Sequence, residues 1–328
     1  MDIGSITLYS ISPRMLNLVA TIHHRLGEVH ARHLHRPAPG LEKAYHVSTV
    51  HSTLAIEGNT LDALPVADIL DKPGSASEGT SALEALNTHR AHGLIEELDP
   101  FVEHDLRHAH GVLMHGLALD AGHFRTGPMD VLYGDPEPLR TASAHDLPAN
   151  VHELLRYAEE DDFPALITSC VLHFGLVYLR PFTAGNGRLA RLWQKRMLMR
   201  YWPVFAYLPV EAFIQRTQPA YYAALEYADR RGDCGDFIAY LLERIDEALA
   251  ELLASPNPVL TGRDRIALFL QQNLDRPFRR KDYLNMFPEL STATASRDLA
   301  EAVHRQLISS SGTTRQVRYK YIKPEGDK

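Results

Sequence analysis

Residues 178–194 read YLRPFTAGNGRLARLWQ, and this stretch determines most of what the sequence predicts. Pro181 ends one helical pattern and GRLARLWQ begins another, so the residues between them connect two helices. Gly185 and Gly187 let the backbone approach a ligand closely, and the first N–H groups of the second helix have no partner within that helix. Such a turn favours anions, and Arg188 and Arg191 lie on one helix face, where both can bind phosphate oxygens. The alternative is an ordinary glycine-rich turn followed by two solvated arginines.

The same stretch resembles the signature of the Fic family, HxFx[DE]GNGRxxR, which would run here from Arg180 to Arg191. Two further segments extend the resemblance to roughly residues 40–250. GHFRTGPMDVLYG at 122–134 is similar to the family's flap, a small β-hairpin that docks a target segment beside the nucleotide, and residues 208–233 are similar to the helices that follow the signature. The resemblance implies a helical domain that transfers the AMP part of ATP to a hydroxyl group of a target protein. It implies that the nucleotide-binding residues are Gly185, Asn186, Gly187, Arg188, Arg191, Tyr221 and Tyr222.

Two positions depart from the family signature. The family's histidine, which takes the proton from the target hydroxyl, is Arg180 here, and a guanidinium group does not accept a proton at physiological pH. The family's acidic residue, which holds Mg²⁺, is Ala184 here, and a methyl group offers no oxygen ligand. We therefore expect impaired AMP transfer. We also expect ATP or another nucleotide to bind with little or no need for Mg²⁺, because Arg180 adds a positive charge and Ala184 omits a negative one.

The segment STLAIEGN at 52–59 resembles the end of the family's inhibitory helix, [ST]xxxE[GN], with Thr53, Glu57 and Gly58 in register. Helical spacing puts Thr53 and Glu57 on one face, and a glycine such as Gly58 commonly ends a helix. The resemblance implies that Glu57 pairs with Arg191 and keeps the γ-phosphate of ATP from its productive position. The alternative is an ordinary surface glutamate at a helix end.

The chain is long enough for two domains, with 328 residues of which 45% are apolar. Apolar residues recur at helical spacing in eight segments before residue 260, which predicts an all-α fold with the small β-hairpin flap as its exception. We predict an N-terminal helical segment at 1–40 and a Fic-type domain at 41–255, whose inhibitory helix spans about 41–58. The turn-rich segment SPNPVLTG at 255–262 indicates the domain boundary.

The residues after this boundary predict a winged helix-turn-helix domain at 262–324. Three helical patterns, the last capped by Ser291 or Thr292, precede two short strands around a glycine turn. Residues 261–328 hold 13 lysines and arginines against 8 acidic residues, whereas the preceding residues hold 21 against 33, and a basic tail on an acidic body favours contact with a polyanion. The DNA-binding candidates are Thr292, Thr294, Ser296 and Arg297 for the bases, and Arg315, Arg318 and Lys320 for the phosphates. The alternative is a packing or dimerising module that never touches DNA, and a homodimer is one possible state of the chain.

Several classes of protein and of site are disfavoured. The N-terminus lacks the pattern of a secretory signal and no apolar run reaches about 18 residues, so we expect a soluble, cytoplasmic protein that does not enter a membrane. Only two cysteines, Cys170 and Cys234, indicate a reducing compartment. His104 and His108 lie one turn apart, but the sequence supplies no clear third ligand, so we predict no metal site. His173 lies about 10 Å from Arg180 along a helix, which favours a packing role over a catalytic one.

Three functions remain open. The leading prediction is an adenylyltransferase-like protein that binds a nucleotide or another phosphate compound but is impaired in catalysis. The first alternative is an active transferase that uses unfamiliar residues or a different donor on an unknown target protein. The second is a DNA-binding regulator in which the Fic-like body serves as a sensor or scaffold.

Overall fold

The computed structural model describes residues 9–32, 34, 39–72, 79–129, 142–254, 262–273, 276–288, 290–312 and 317–322. The chain divides into two compact units, Met1–Ala254 and Ser255–Lys328. Both consist mainly of helices, which confirms the mostly helical fold that the sequence predicts. The expected flap at 122–134 lies partly outside the described residues, which stop at 129 and resume at 142.

The described part of the first unit contains eleven α-helices. They are α1 Pro13–Ala31, α2 Pro39–Ile56, α3 Ala63–Asp71, α4 Thr80–Gly93, α5 Glu103–Leu113, α6 Leu147–Glu160, α7 Ala165–Leu179, α8 Asn186–Tyr201, α9 Val210–Arg216, α10 Gln218–Arg231 and α11 Gly235–Ala254. Two 3-10 helices, Ile95–Glu97 and Pro203–Ala206, follow α4 and α8. The eight predicted segments do not include α2, which only the family resemblance predicted, as the inhibitory helix at about 41–58. They also do not include α3 and α9, because helices of 9 and 7 residues are too short to establish a helical period.

The start and the packing of α1 follow from its local sequence. Pro13 occupies the first helical position, and Ser12 Oγ accepts the N–H of Met15 at 3.2 Å, so the helix begins with a side-chain cap. Its buried residues form one face that packs against α11; they are Met15, Ile22, Leu26 and Val29. An amphipathic pattern thus places α1 on the outside of the core.

Helix α7 lies at the centre of the first unit, packed against α6, α8 and α11. Almost all of its residues are buried, because it is apolar on every side. Among its few buried polar residues, His173 is hydrogen-bonded at both ring nitrogens, to Gln194 at 2.7 Å and to the Tyr221 hydroxyl at 2.9 Å. The helix ends at Leu179 and α8 begins at Asn186, so the loop between them emerges from the rigid centre of the unit.

Helix α2 belongs to a smaller apolar cluster with α3 and α4, in which Val50, Leu54, Val66 and Ala85 are buried. Helix α2 also packs against α9 and α8. Gly58, with φ of 86°, follows the last turn, where its N–H donates to Ala55 O at 3.0 Å. This packing brings the C-terminal end of α2 to the start of α8.

The second unit contains α12 Gly262–Gln272, α13 Arg280–Met286 and α14 Thr292–His304, followed by strands β1 Ile308–Ser311 and β2 Arg318–Tyr321. The strands pair antiparallel, with Ile308 opposite Tyr321 and Ser311 opposite Arg318. Aromatic residues dominate the core, among them Phe269, Phe278, Tyr283 and Phe287. Buried Asp298 accepts hydrogen bonds from Arg265 Nε at 2.8 Å and from the Tyr283 hydroxyl at 3.0 Å, which joins the three helices.

No helix in the described parts of either unit combines the length and the apolar character needed to cross a membrane.

Candidate functional site

The loop between α7 and α8 is held in one shape by its own asparagine. Asn186 Oδ1 accepts the N–H of Phe182 at 3.1 Å, and Asn186 Nδ2 donates to Phe182 O at 2.8 Å. Gly185 precedes α8 with φ of 75°, and a Cβ at this position would lie 2.6 Å from Met114 Sδ. Glycine is therefore required at position 185. The two hydrogen bonds of Asn186 hold the turn at the start of α8 in this shape.

His110 of α5 holds the loop in place through a hydrogen bond and a ring contact. Its Nδ1 accepts the N–H of Gly122 at 2.9 Å, so its Nε2 carries the proton and donates to Ala184 O at 2.9 Å. The imidazole stacks on the Phe182 ring with centroids 3.6 Å apart. Burial lowers the pKa of His110 to about 4, although the hydrogen bond to Ala184 opposes the shift. His110 is therefore a neutral structural residue, and the sequence indicated only that it lies near His104 and His108.

Arg125 fixes the chain just before the loop. Its N–H donates to Pro181 O at 2.9 Å, and its guanidinium donates to Arg180 O at 2.8 Å, Ala142 O at 2.6 Å and Gly127 O at 2.7 Å. Four backbone carbonyls thus depend on one residue that is 3% exposed. The sequence analysis missed this role, because no local pattern distinguishes an arginine that binds carbonyls from a solvated one.

The two arginines of the GNGRxxR pattern are buried, so the alternative that they are solvated is wrong. Arg191 is 3% exposed and Arg188 is 6% exposed. Arg191 Nη2 donates to Glu57 Oε1 at 2.8 Å and to Thr53 O at 3.0 Å, and Arg191 Nε donates to Thr53 Oγ1 at 2.8 Å. Arg188 Nη2 lies 3.3 Å from Glu84 Oε1. The structure therefore brings Thr53, Glu57 and Arg191 together, and it adds Glu84, which the sequence analysis missed.

Three nitrogens of these guanidinium groups have no hydrogen-bond partner among the described residues. They are Arg188 Nε, Arg188 Nη1 and Arg191 Nη1, and all three are buried. Burial lowers the pKa of Arg188, with Glu84 opposing. Burial also acts to lower the pKa of Arg191, but Glu57 together with Tyr221 and Tyr222 raises it above its usual value. Buried N–H donors without acceptors are rare and costly, so this arrangement suits an anion.

The carboxylate of Glu57, the residue after α2, lies against the first turn of α8. A Cβ on Gly187 would overlap its carboxylate, so the missing side chain of Gly187 is what admits Glu57. The carboxylate then lies where the free N–H groups and the dipole of α8 favour a negative charge.

The aromatic pair predicted to contact a nucleotide contacts the protein. Tyr221 is 1% exposed, and its hydroxyl donates to His173 Nε2, since His173 Nδ1–H donates to Gln194 Oε1. The Tyr222 hydroxyl donates to Ile56 O, the last carbonyl of α2, at 2.7 Å. Burial lowers the pKa of His173 to about 3. This histidine has no ring nitrogen left to accept a proton from a substrate.

Arg180 ends α7 in the left-handed conformation, with φ of 46°. Half-buried Asp229 of α10 interacts electrostatically with it: burial raises the pKa of Asp229 to about 6, and the positive charge of Arg180 limits this rise. Ala184 is exposed, and beside it Thr183 Oγ1 donates to Asp120 Oδ1 at 2.9 Å. Asp229 was not predicted, because it lies 49 positions after Arg180 on a helix that the sequence does not relate to the loop.

Comparisons with known proteins identify a family for part of the chain. Residues 99–198 match the model of the Fic/DOC family. The structure superposes on the crystal structure of a Fic family protein from Desulfovibrio desulfuricans G20 with a TM-score of 0.71 and 28% identity, over 97% of this chain and 99% of that one. The chain therefore contains a domain of the Fic/DOC family at residues 99–198.

Two curated relatives of this Fic protein are named protein adenylyltransferases. One, from Nematostella vectensis, is 28% identical over 234 residues, which cover 69% of this chain and 52% of the relative. Another, fic-1 from Caenorhabditis elegans, is 29% identical over 218 residues, which cover 63% of this chain and 41% of the relative. The chain thus spans about half the length of the curated relatives it matches.

The loop of this Fic protein does not fit the Mg²⁺ that the family resemblance implies. At the position of the acidic ligand, Ala184 offers a methyl group, and its carbonyl oxygen already accepts from His110. Within the described ranges, no group of three or more histidine, cysteine, aspartate or glutamate side chains could hold a metal ion. No step of a reaction is therefore assigned to a metal here.

The DNA-binding candidates lie on two elements of the second unit. Ser291 caps α14 by accepting the N–H of Thr294 at 3.1 Å, as predicted for Ser291 or Thr292. Thr292 and Arg297 are exposed on α14, while Ser296 Oγ accepts from Arg280 Nη1 at 2.8 Å. Arg318 and Lys320 are exposed on β2, and Arg315 lies outside the described residues.

Proposed function

We propose that this Fic family protein binds ATP or another nucleotide through Arg188, Arg191 and the start of α8. One observation carries the proposal: three buried guanidinium nitrogens of these arginines have no hydrogen-bond acceptor among the residues that the structure describes. A phosphate group presents several oxygens with the spacing that a guanidinium fork requires, and it is favoured at a helix N-terminus. The names of the curated relatives support an adenylyl nucleotide over other phosphate compounds.

Transfer of AMP to a target protein is impaired in this proposal. Arg180 stands where the family has its proton acceptor, and Ala184 stands where it has its metal ligand. Loss of a positioned base typically lowers a rate by about 10²–10⁴-fold, and loss of a metal removes several kcal/mol of charge stabilisation. The protein is then mainly a nucleotide-binding protein that has kept the family's site.

Glu57 restrains binding at this site. Its carboxylate accepts a hydrogen bond from Arg191 Nη2 and fills the space where a Cβ of residue 187 would lie. A phosphate oxygen would otherwise lie there. Its 2.8 Å contact with a buried guanidinium is a strong, charge-assisted pair that a ligand must displace. Autoinhibition of the kind that the family resemblance implies therefore acts here on affinity.

Binding needs little or no Mg²⁺ in this proposal. A metal normally offsets repulsion between a triphosphate and a nearby carboxylate, and the loop has no carboxylate of its own at Ala184. Arg180, Arg188 and Arg191 supply three positive charges within or beside the loop. These arginines thus balance the negative charge of the ligand in place of a metal ion.

The proposal is tested by calorimetric titration of the full chain with ATP, ADP and AMP, with MgCl₂ or with EDTA. We expect binding that is similar in both conditions and about 10–100-fold weaker in Arg188→Gln, since hydrogen bonds to charged groups contribute about 1.5–3 kcal/mol. Arg156→Gln is the control, because Arg156 pairs with Glu160 at 2.7 Å in an exposed pair within α6. Absence of any heat with millimolar ATP in both the wild-type protein and Glu57→Gly would refute nucleotide binding.

A second candidate, an active transferase with an unfamiliar proton acceptor, is favoured by Asp229. This carboxyl is half-buried beside Arg180, and burial brings its pKa to about 6, within the range of a general base near neutral pH. Radiolabelled ATP, GTP, CTP and UTP incubated with the protein and a cell lysate distinguish the candidates. Labelling that is lost in Asp229→Asn would support the active transferase, and absence of labelling with every donor supports the impaired one.

A further proposal concerns the second unit, which we interpret as a winged helix-turn-helix domain at 262–324 that contacts DNA. Three helices precede a two-stranded hairpin, α14 exposes Thr292 and Arg297 near its start, and β2 exposes Arg318 and Lys320. In such domains the third helix enters the major groove and the hairpin touches phosphates. Its function would then be regulatory, with the Fic body as sensor.

A further inference from the structure

Arg188 pairs with a residue outside the segment that resembles the inhibitory helix. Glu84 lies in the second turn of α4, and its Oε1 is 3.3 Å from Arg188 Nη2. The side chain of Arg188 is 6% exposed, and that of Glu84 is 24% exposed. The pair is thus largely shielded from water, in a setting where a charge–charge contact is much stronger than on a surface.

The other oxygen of Glu84 is held by the chain that follows Glu57. Asn59 Nδ2 donates to Glu84 Oε2 at 2.7 Å and to Ser81 O at 3.2 Å. Asn59 Oδ1 accepts the N–H of Leu61 at 3.0 Å, so its amide orientation is fixed by three contacts. Since Asn59 is two residues from Glu57, the end of α2 and the start of α4 are connected at the two arginines.

Glu57 and Glu84 each form an ion pair with one of the two arginines at the start of α8. Each carboxylate uses the Nη2 of one guanidinium, Glu57 on Arg191 and Glu84 on Arg188. Each guanidinium keeps buried N–H donors that no described residue accepts. A phosphate that meets these free donors therefore approaches two carboxylates, and two negative charges about 4 Å apart repel strongly at a partly buried site.

We propose that Glu84 is a specificity-determining residue that competes with ligand phosphate for Arg188, as Glu57 competes for Arg191. The inference rests on the proposed phosphate binding by these arginines. Asn59 couples the two carboxylates, so ligand that displaces Glu57 also loosens Glu84. Ligands with more phosphate groups are disfavoured most, because they carry more charge toward both carboxylates.

The test is titration of the full chain with inorganic pyrophosphate at constant ionic strength, comparing wild type with Glu84→Gln, Glu57→Gln and the double variant. The glutamine keeps the size of Glu84 and removes its charge. We expect each single variant to bind pyrophosphate about tenfold more tightly and the double variant to bind more tightly than either. Glu226→Gln is the matched control, because Glu226 pairs with Arg230 at 3.0 Å and its side chain is 29% exposed, close to the value for Glu84.

Each outcome has one meaning. Tighter binding in Glu57→Gln with no change in Glu84→Gln overturns the inference and leaves phosphate binding intact. Absence of pyrophosphate binding in all variants overturns the proposed function, and the inference with it. Asn59→Ala provides a second variant that leaves both carboxylates in place, and we expect it to tighten binding by a smaller factor because it frees Glu84 from its anchor. No gain in Asn59→Ala would contradict the coupling.

Thermal unfolding gives a second readout. Removing the charge of Glu84 leaves Arg188 buried beside a neutral partner, so Glu84→Gln should unfold at a lower temperature than wild type in sodium chloride. Pyrophosphate at the same ionic strength should raise the Tm of Glu84→Gln more than that of Glu226→Gln. Equal shifts in the two variants would show that Glu84 does not compete with anions for Arg188.

Discussion

Acidification from pH 7 to pH 5 should destabilise the first unit through buried neutral histidines. A hydrogen bond of 2.8 Å joins His46 Nε2 of α2 to His89 Nδ1 of α4. His110 donates a hydrogen bond to the loop between α7 and α8, and His173 lies within α7. Burial is the main cause that lowers the pKa of His46 to about 4, of His110 to about 4 and of His173 to about 3. The same cause lowers the pKa values of His89 and His92.

The sign follows from which state binds more protons. In the unfolded chain these histidines titrate near pH 6.5, so at pH 5 the unfolded state is protonated while the folded state is not. Stability falls below pH 6.5, and each of the three contributes about 2 kcal/mol of loss by pH 5. Asp229 acts in the opposite direction: its folded pKa of about 6 lies above its unfolded value, so protonation relieves about 1 kcal/mol. These four groups together give an expected net loss of about 5 kcal/mol, and the lowered pKa values of His89 and His92 add to it.

Urea unfolding at pH 7 and pH 5, at equal ionic strength, measures this loss. Trp193 and Trp202, the chain's two tryptophans, lie in the first unit, so their fluorescence reports on that unit. His110→Asn should reduce the pH-dependent loss by about 2 kcal/mol, because asparagine has no group that titrates in this range. His104→Asn, an exposed position, is the control. Free energies of unfolding that agree within about 1 kcal/mol at the two pH values would refute the reasoning.

Three further predictions concern ligands. Glu57→Gly should tighten ATP binding more than AMP binding in titration calorimetry, because the γ-phosphate gains Arg191, and Arg191→Ala should erase that difference; equal gains for both nucleotides would contradict this. The wild-type protein should label neither itself nor a lysate with radiolabelled ATP above background, whereas Arg180→His combined with Ala184→Glu should restore labelling by about 10²-fold or more, since it returns a base and a metal ligand; labelling by wild type that disappears on substitution of Arg180 would show the opposite. In gel shifts on genomic fragments, binding should weaken steeply with salt and weaken further in Arg297→Ala, and no shift at low salt would leave the second unit as a packing module.

The sequence predicted those parts of the fold whose signals are local. Pro181, the two glycines and the apolar pattern on either side place the α7–α8 connection where the structure has it. The resemblance supplied Glu57 as a partner for Arg191, which no local rule would have supplied. The burial of Arg188 and Arg191 was not predictable from the sequence alone, because a charged residue that recurs every third position usually marks a solvated helix face.

The supports of the site depend on contacts between distant residues. Glu84 reaches Arg188 across 104 positions, and Arg125 reaches Arg180 across 55. The local sequence around a histidine such as His110 is the same whether the side chain binds a metal, a carbonyl or water. Only the packing of α5 against α4 and α8 decides among these roles, and that packing is a property of the whole unit.

The way in which the loop is fastened has a consequence for the kinetics of ligand exchange. Asn186, His110 and Arg125 attach the loop to its own backbone, to α5 and to the chain before α6, so this side of the site has little freedom to move. The opposite side is formed by α2 and α4, whose carboxylates can rotate or withdraw. Rapid mixing with pyrophosphate should therefore show an observed rate that levels off at high ligand concentration, at the rate with which Glu57 and Glu84 leave the two arginines. Glu57→Gln should raise that plateau, which makes the departure of a side chain, and not the encounter with ligand, the step that sets the response time of the protein.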